Sequence, residues 1–141
     1  MERGKKYFNK GYYNIALEYY QKSYEKYKKV YANNPNHPNL DIILNNIIGL
    51  LYFIKGDFNK ALEYYEKSHE LNKKVNADNP NHPDIADSLN KNGLVYNITG
   101  NCNKALEYYE KSYEIYKKIY ANNPNHPDIA DSLNNIGLVY D

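Results

Sequence analysis

One stretch of sequence recurs three times along the chain. At spacings of 45 and 44 residues, the segment Ala-Leu-Glu-Tyr-Tyr begins at Ala16, Ala61 and Ala105. When residues 61–96 are aligned with residues 105–140, 28 of 36 positions are identical. A period of this length is typical of repeat proteins, in which each unit contacts only its neighbours. The chain is therefore expected to fold as a tandem array of small repeats.

Within each repeat the apolar residues follow helical spacing. One stripe runs in steps of three and four from Ala105 to Tyr120 and predicts a longer helix. A second stripe, from Ile129 to Tyr140, predicts a shorter helix that begins at His126-Pro127-Asp128. Proline is tolerated in a first helical turn, and an acidic residue favours the positive end of the helix dipole. Gly56 and Gly100 are predicted to end such helices, and the resulting hairpins must stack to cover their apolar faces.

The fixed positions of this hairpin resemble those of the tetratricopeptide repeat family. Its characteristic spacing of small and aromatic residues is carried by Leu89, Gly93, Tyr96, Gly100, Ala105 and Tyr109. The additional His-Pro-Asp and Ser-Leu-Asn-Asn segments are similar to the kinesin-light-chain subtype. The resemblance implies an all-α fold, an α-solenoid in which antiparallel helical hairpins form a right-handed superhelix. We divide residues 1–141, as one solenoid, into repeats 1–38, 39–83, 84–127 and 128–141, of which the first and last are partial.

Glycines recur at the same point of the shorter helices, namely Gly4, Gly49, Gly93 and Gly137. We expect two helices to approach closely there, with the alanine of the longer helix opposite. Asn92 stands where Ile136 stands in the next repeat, in a slot that faces the core. In the second longer helix, three tyrosines of the third are replaced by His69, Asn72 and Asn76. The second repeat is therefore expected to be the least stable, because each replacement loses apolar burial.

The 45-residue interval contains one extra residue between Leu44 and Gly49. A straight helix continued back from Gly49 would place Asn45 in the slot that Leu89 occupies in the next repeat. We therefore predict a π-bulge near residues 46–48 that returns Leu44 to the core.

Polar side chains recur just before the glycine of each shorter helix, in the pairs Asn45 and Asn46, Asn90 and Lys91, and Asn134 and Asn135. In the family, shorter helices line a concave groove, and the matching positions often hold a peptide backbone. An asparagine amide suits this role because it both donates and accepts hydrogen bonds. The residue after each glycine is also expected to face the groove and to suit an apolar anchor, at Leu50, Leu94 and Leu138. Solvated amides, amides that bond neighbouring helices, and leucines that pack between adjacent shorter helices explain the same pattern.

The histidines and the single cysteine do not form a catalytic or metal-binding pattern. His37, His82 and His126 occupy one equivalent turn per repeat and are expected to have a structural role there. They lie too far apart for zinc, and no Cys/His cluster has ligand spacing. Cys102 is expected to be a small buried thiol, because no constellation of His or carboxylate accompanies it. We therefore predict no catalytic residue, no metal and no cofactor.

The charge balance disfavours nucleic acid and membranes as partners. Lys and Arg total 18 against 17 Asp and Glu, a net charge of +1, which gives no global field to hold phosphates or anionic lipid. No apolar run reaches the length of a membrane span, and no secretion signal follows Met1. The lone cysteine agrees with a reducing compartment. We predict a cytoplasmic protein.

The function predicted from these features is that of a protein–protein interaction scaffold, not an enzyme, which binds an extended peptide or a partner protein in its groove. The alternative is an architectural, self-assembling segment of a larger protein with no dedicated ligand. The sequence opens within one shorter helix and closes in another without its longer partner, so we expect a part of a longer array or a recombinant segment. Uncovered apolar ends predict self-association, as a homodimer in preference to a head-to-tail chain.

Overall fold

Seven α-helices make up the part of the chain that the structure describes. The structure is a computed structural model that describes residues 1–31 and 38–140, and it contains no strand within those ranges. The helices are α1 (Glu2–Asn9), α2 (Tyr13–Val30), α3 (Pro38–Ile54), α4 (Phe58–Val75), α5 (Pro83–Ile98), α6 (Cys102–Ile119) and α7 (Pro127–Val139). The even-numbered helices are the predicted longer helices, although α3 and α5, with 17 and 16 residues, are almost as long as the 18 residues of α4. The all-α prediction is confirmed.

The chain forms two compact units, an N-terminal unit of Met1–Leu71 and a C-terminal unit of Asn72–Asp141. The core of the N-terminal unit contains Ala16, Leu17, Tyr20, Leu44, Ile48 and Leu51. In the C-terminal unit, one cluster joins Ala86, Tyr116 and Ile129. Tyrosine supplies large buried side chains in both units, since Tyr20 and Tyr116 are each 4% exposed.

Each hairpin packs a tyrosine ring of the even-numbered helix directly on a glycine of the preceding odd-numbered helix. A Cβ atom added to Gly4, Gly49 or Gly93 would lie within 2.9, 2.7 and 2.8 Å of the rings of Tyr20, Tyr65 and Tyr109. The predicted close approach is therefore confirmed at these three positions, and the nearest group is the tyrosine ring, not an alanine side chain. At Gly137 of α7, nothing among the described residues lies within 4 Å of such a Cβ atom.

Glycine also ends the odd-numbered helices α1, α3 and α5. Gly11, Gly56 and Gly100 have φ angles of 79°, 81° and 84°, which other residues rarely adopt. The amide of the residue after each glycine donates to a carbonyl five residues back, for example from Asn101 to Tyr96 at 2.8 Å. This pattern is the Schellman motif, and it confirms the predicted helix ends at Gly56 and Gly100.

Histidine caps the first turn of α5 and of α7. The Nδ1 atoms of His82 and His126 accept hydrogen bonds from the backbone amides of Asp84 and Asp128, at 3.0 and 3.1 Å. Each cap satisfies an amide that has no partner within the helix. The predicted structural role of these two histidines is confirmed, whereas His37 lies outside the described residues.

Cys102 is exposed, so the prediction of a buried thiol is wrong. In the N-terminal unit, α4 begins with Phe58, whose ring packs edge-on against the ring of Phe53, with the two centroids 5.5 Å apart. The matching positions of the C-terminal unit are Asn97 and Cys102. Without an aromatic partner, the first side chain of α6 stays in solvent.

The predicted π-bulge in α3 is also wrong. The segment from Pro38 to Ile54 is a continuous α-helix with no π turn. A straight helix places Asn45 four residues before Gly49, where it is completely buried, and Leu44 is also buried at 1% exposure. The extra residue therefore changes which side chains face the core instead of distorting the helix.

Asn92 occupies the core of α5 as predicted, with no exposed surface. Its Nδ2 atom donates to the Ser88 carbonyl oxygen at 3.0 Å, and its Oδ1 atom is buried without a hydrogen-bond partner. Asn72 is also buried, at 5% exposure. Asn92 and Asn72 thus lie where the burial of a polar side chain costs free energy, whereas His69 and Asn76 are half-buried.

Candidate functional site

The odd-numbered helices α3, α5 and α7 expose three side chains at matching distances from their glycines, and we call the patch that these side chains form in each compact unit the odd-helix surface of that unit. Measured from the glycine, these positions lie three residues before it, two residues before it and one residue after it. They are Asn46, Ile47 and Leu50 in α3, Asn90, Lys91 and Leu94 in α5, and Asn134, Asn135 and Leu138 in α7. The leucines are 37%, 41% and 53% exposed, and the other six side chains are exposed or half-buried. All of the predicted groove residues except Asn45 belong to this surface.

Asn45 is not accessible to a ligand. Its Nδ2 atom donates to the backbone oxygen of Asp41 at 2.8 Å and to the carboxylate Oδ1 of Asp41 at 2.7 Å. Burial raises the pKa of the Asp41 carboxyl, and the hydrogen bond from Asn45 lowers it in part. Asn45 is thus a packing residue. Because α3 is a regular helix, Asn46 and not Asn45 stands three residues before Gly49, on the odd-helix surface. Ile47 also joins the surface, and its distance from Gly49 is the signal that could have identified it.

The amide of Asn46 is held by the neighbouring even-numbered helix. Ser68 of α4 donates from its hydroxyl to Oδ1 of Asn46 at 2.6 Å. The matching serine of α6, Ser112, donates instead to the backbone oxygen of Ala86 at 3.0 Å. Asn90, the counterpart of Asn46, therefore keeps a buried Oδ1 atom with no hydrogen-bond partner.

A polar pocket of about 370 Å³ lies on the odd-helix surface of the C-terminal unit. We call it the acceptor pocket, and it is lined by Asp87, Asn90, Tyr116, Asp128, Asp131, Asn134 and Asn135. The asparagines were predicted from the sequence, whereas the carboxylates were missed. Asp87 and Asp131 had a signal, an aspartate six residues before the glycine of α5 and of α7, where α3 carries Ile43. Asp128 lies nine residues before Gly137 and does not share that signal.

Two tyrosines donate hydrogen bonds to carboxylates of the acceptor pocket. The hydroxyl of Tyr116 donates to Oδ1 of Asp87, and that of Tyr120 donates to Oδ2 of Asp128 at 3.0 Å. Burial, together with the bond to Asp87, raises the pKa of Tyr116, which therefore remains a protonated donor. A neutral donor orients a carboxylate without neutralising it.

An apolar pocket of about 420 Å³ lies on the odd-helix surface of the N-terminal unit. It is lined by Met1, Glu2, Lys5, Phe8, Asn9, Tyr20, Ile47 and Leu50. The ring of Phe8 and the side chains of Ile47 and Leu50 supply apolar surface to this pocket. The odd-helix surface therefore offers different chemistry in the two units.

Among residues 1–31 and 38–140, no group of three or more His, Cys, Asp or Glu side chains is arranged to hold a metal ion. Within the same ranges, no helix is both long and apolar enough to cross a membrane.

Stacked helical hairpins that expose one recurring set of side chains define a class of repeat scaffold. The sequence model of the tetratricopeptide repeat matches residues 4–74, 39–118 and 84–141. The chain therefore belongs to the tetratricopeptide repeat family, whose repeats generally mediate protein–protein interaction or scaffolding. No curated protein sequence matches it.

The fold is shared with repeats of the kinesin-light-chain type, as the sequence predicted. Two crystal structures of a Podosopora anserina protein assigned as a kinesin light chain, with nearly identical TPR-like repeats, match with TM-scores of 0.80 and 0.75. Both are 20% identical over 99% of this chain and are covered over 62% and 63% of their length. BtubC (BKLC) from P. vanneervenii matches with a TM-score of 0.76, at 19% identity over 97% of this chain and 51% of its own. The chain thus spans less than two thirds of these structures.

Proposed function

We propose that the chain is a cytoplasmic interaction scaffold whose odd-helix surface binds an extended peptide segment of a partner protein. The observation that supports this most strongly is the recurrence of an amide and an exposed leucine at the same positions of α3, α5 and α7. Amides can pair with a peptide backbone whatever its side chains, and pockets beside them select among those side chains. Binding on this surface requires no catalytic group.

The test replaces Asn90, Asn134 and Asn135 together by alanine. The probe is a set of peptides selected from a random display library against the unmodified chain. We expect the triple variant to bind these peptides at least about tenfold more weakly, a loss of about 1.4 kcal/mol. Its helical content should be unchanged and its unfolding midpoint should not fall, because Asn134 and Asn135 lie at the surface and the half-buried Asn90 loses an oxygen atom that has no hydrogen-bond partner.

The matched control replaces three exposed residues of even-numbered helices, Lys26, Glu110 and Lys111, by alanine. This variant should bind the selected peptides as the unmodified chain does. Peptides that bind the asparagine variant at full strength would contradict the proposal, as would peptides that lose affinity for the control variant.

Self-assembly is a second candidate function, which a separate observation favours. The approach to Gly137 is open, and Leu133 and Tyr140 of the same segment are 50% and 73% exposed. At the three matching glycines a tyrosine ring covers this position. We propose that a second copy of the chain covers the face of α7 that contains Leu133, Gly137 and Tyr140.

A further inference from the structure

The helix α3 exposes a row of aliphatic side chains, which we call the α3 stripe. Its members recur in steps of four, three and four residues and are Ile43, Ile47, Leu50 and Ile54. Ile43, Leu50 and Ile54 are 46%, 37% and 42% exposed, and Ile47 is half-buried. These steps place the four side chains on one face of the helix, over a length of about 16 Å.

No charged side chain interrupts the α3 stripe. Asp41 is the only charged residue of α3, and it precedes the stripe. In α5 and α7, by contrast, an aspartate stands at the position of Ile43, and a lysine or an asparagine stands at that of Ile47. Contiguous exposed apolar surface marks a site of interaction with another molecule. The α3 stripe is therefore a candidate interaction surface that α5 and α7 do not repeat.

The helix α1 lies beside the α3 stripe and is positively charged. Both helices line the apolar pocket of about 420 Å³, α3 through Ile47 and Leu50 and α1 through Lys5 and Phe8. Glu2 is the only carboxylate of α1, whereas α1 and its C-cap residue carry four cations, Arg3, Lys5, Lys6 and Lys10. All four cations are exposed, and none of them forms an ion pair with another described residue. A partner of the α3 stripe therefore meets positive charge on the side of α1.

The α3 stripe offers few partners to the backbone of a bound chain. Its aliphatic side chains neither donate nor accept hydrogen bonds, and the Oδ1 atom of Asn46 beside them already accepts from Ser68 at 2.6 Å. Asn45 is completely buried. An extended peptide on the stripe would therefore bury backbone N–H and C=O groups without partners, whereas a helix pairs these groups internally. Aliphatic side chains in the same steps on such a helix would interlock with those of the stripe.

We propose that the α3 stripe binds an amphipathic helix of a partner protein, with the apolar face of that helix on the stripe and an acidic flank towards α1. One large apolar side chain of the bound helix fills the pocket between Ile47, Leu50 and Phe8. The charges of the acidic flank and of α1 set the orientation of the helix more than its affinity. The inference goes beyond the proposed function, because it concerns a helical segment and not the amides of α5 and α7.

The probe is a synthetic peptide of about 18 residues that carries leucine in steps of four, three and four, glutamate on one flank and alanine elsewhere, a composition that favours a helix. One comparison peptide has prolines in place of two central alanines, which break the helix. Another has lysine in place of glutamate. We expect the unmodified chain to bind the probe at least about tenfold more tightly than the proline peptide in fluorescence anisotropy. The lysine peptide should bind more weakly than the probe, and added salt should reduce this difference.

The test variant, Ile43→Gln with Ile54→Gln, should bind the probe at least about tenfold more weakly, because it removes apolar contact at both ends of the stripe. The matched control, Val30→Gln with Val75→Gln, replaces aliphatic side chains of α2 and α4 that are 61% and 42% exposed. It should bind the probe as the unmodified chain does. Both variants should keep their helical content in circular dichroism, because the replaced side chains are exposed.

Three results would overturn the inference. The first is equal binding of the probe and the proline peptide, which would mean that the stripe does not require a helix. The second is full binding of the probe to the variant of Ile43 and Ile54. The third is binding of the unmodified chain to phosphatidylglycerol vesicles but not to the probe, which would assign the stripe to a lipid surface. The triple asparagine variant should bind the probe normally, so this inference and the proposed function can fail separately.

Discussion

At the scale of single residues, each hairpin depends on a glycine that faces a tyrosine ring. A Cβ atom on Gly93 would lie 2.8 Å from two atoms of the Tyr109 ring, and Tyr109 is only 3% exposed, so the ring has little room to move. Gly93→Ala is therefore expected to lower the free energy of unfolding by about 1–3 kcal/mol, as overpacking usually does. Urea unfolding followed by circular dichroism measures this change.

Gly137 provides the matched control, because it has the same place in α7 and an open approach. Its backbone is helical, so Gly137→Ala is expected to raise the free energy of unfolding by about 0.5–1 kcal/mol. The measurement is made at low protein concentration, where contacts between copies do not contribute. Similar effects of the two substitutions would show that the tyrosine ring does not restrict Gly93.

Residues whose role is set by the local chain could be predicted from the sequence. His126 caps α7 through an amide two residues away, so the His-Pro-Asp segment contained the information. Cys102 could not be placed in this way, because the burial of its counterpart Phe58 depends on a second ring, Phe53. Asn97 stands in place of that ring, and a comparison of single positions does not reveal the loss of a partner.

At the scale of one helix, α3 shows why register is harder to predict than helix content. The helix predicted here is present. The prediction also included a π-bulge, which would have kept Asn45 out of the core and returned Leu44 to it. The straight helix keeps its regular backbone bonding, and the Nδ2 atom of Asn45 finds two acceptors on Asp41, one turn earlier. These bonds offset part of the burial cost. A pattern of apolar residues alone does not show that compensation.

The buried face of α5 contains a polar side chain at a position that an apolar residue would fill better. Asn92 is fully buried with an unpaired Oδ1 atom, and isoleucine stands at the same distance from the glycine in α3, as Ile48, and in α7, as Ile136. A buried acceptor without a partner costs about 1–3 kcal/mol. Asn92→Ile is therefore expected to raise the free energy of unfolding by about 1 kcal/mol or more, measured by urea unfolding.

The reciprocal substitution, Ile48→Asn, serves as the control. Ile48 has no exposed surface, so an amide there should lower the free energy of unfolding by at least about 1 kcal/mol. A loss of stability in Asn92→Ile would contradict the prediction and would mean that the amide fits its site better than an apolar side chain. The low stability of the second repeat remains a prediction. This pair of variants measures how much the buried amide of Asn92 contributes to it.

At the scale of the whole molecule, net charge is a poor guide to the binding surface. The value of +1 indicated no strong electrostatic preference for a partner. The carboxylates of Asp87 and Asp131, 44 residues apart in the sequence, nevertheless line the same pocket. They do so because the repeat places equivalent positions of α5 and α7 on one surface. The repeat was evident in the sequence, but the tyrosines that orient Asp87 and Asp128 became evident only from the packing of α6.

The last prediction concerns association between copies of the chain. If a second copy covers the face of α7, apolar burial drives the contact, and charges placed there should prevent it. We expect light scattering over a concentration series to give a mass that rises above that of the monomer, and Leu133→Lys with Tyr140→Lys to remain monomeric. Gly137→Ala should also weaken association, because its methyl group occupies the space that a tyrosine ring fills at Gly93. The control, Tyr12→Lys with Ile15→Lys, changes two side chains that are 56% and 41% exposed elsewhere and should associate normally. A monomer mass at the highest concentration of the unmodified chain, or a monomeric control, would rule out association through α7.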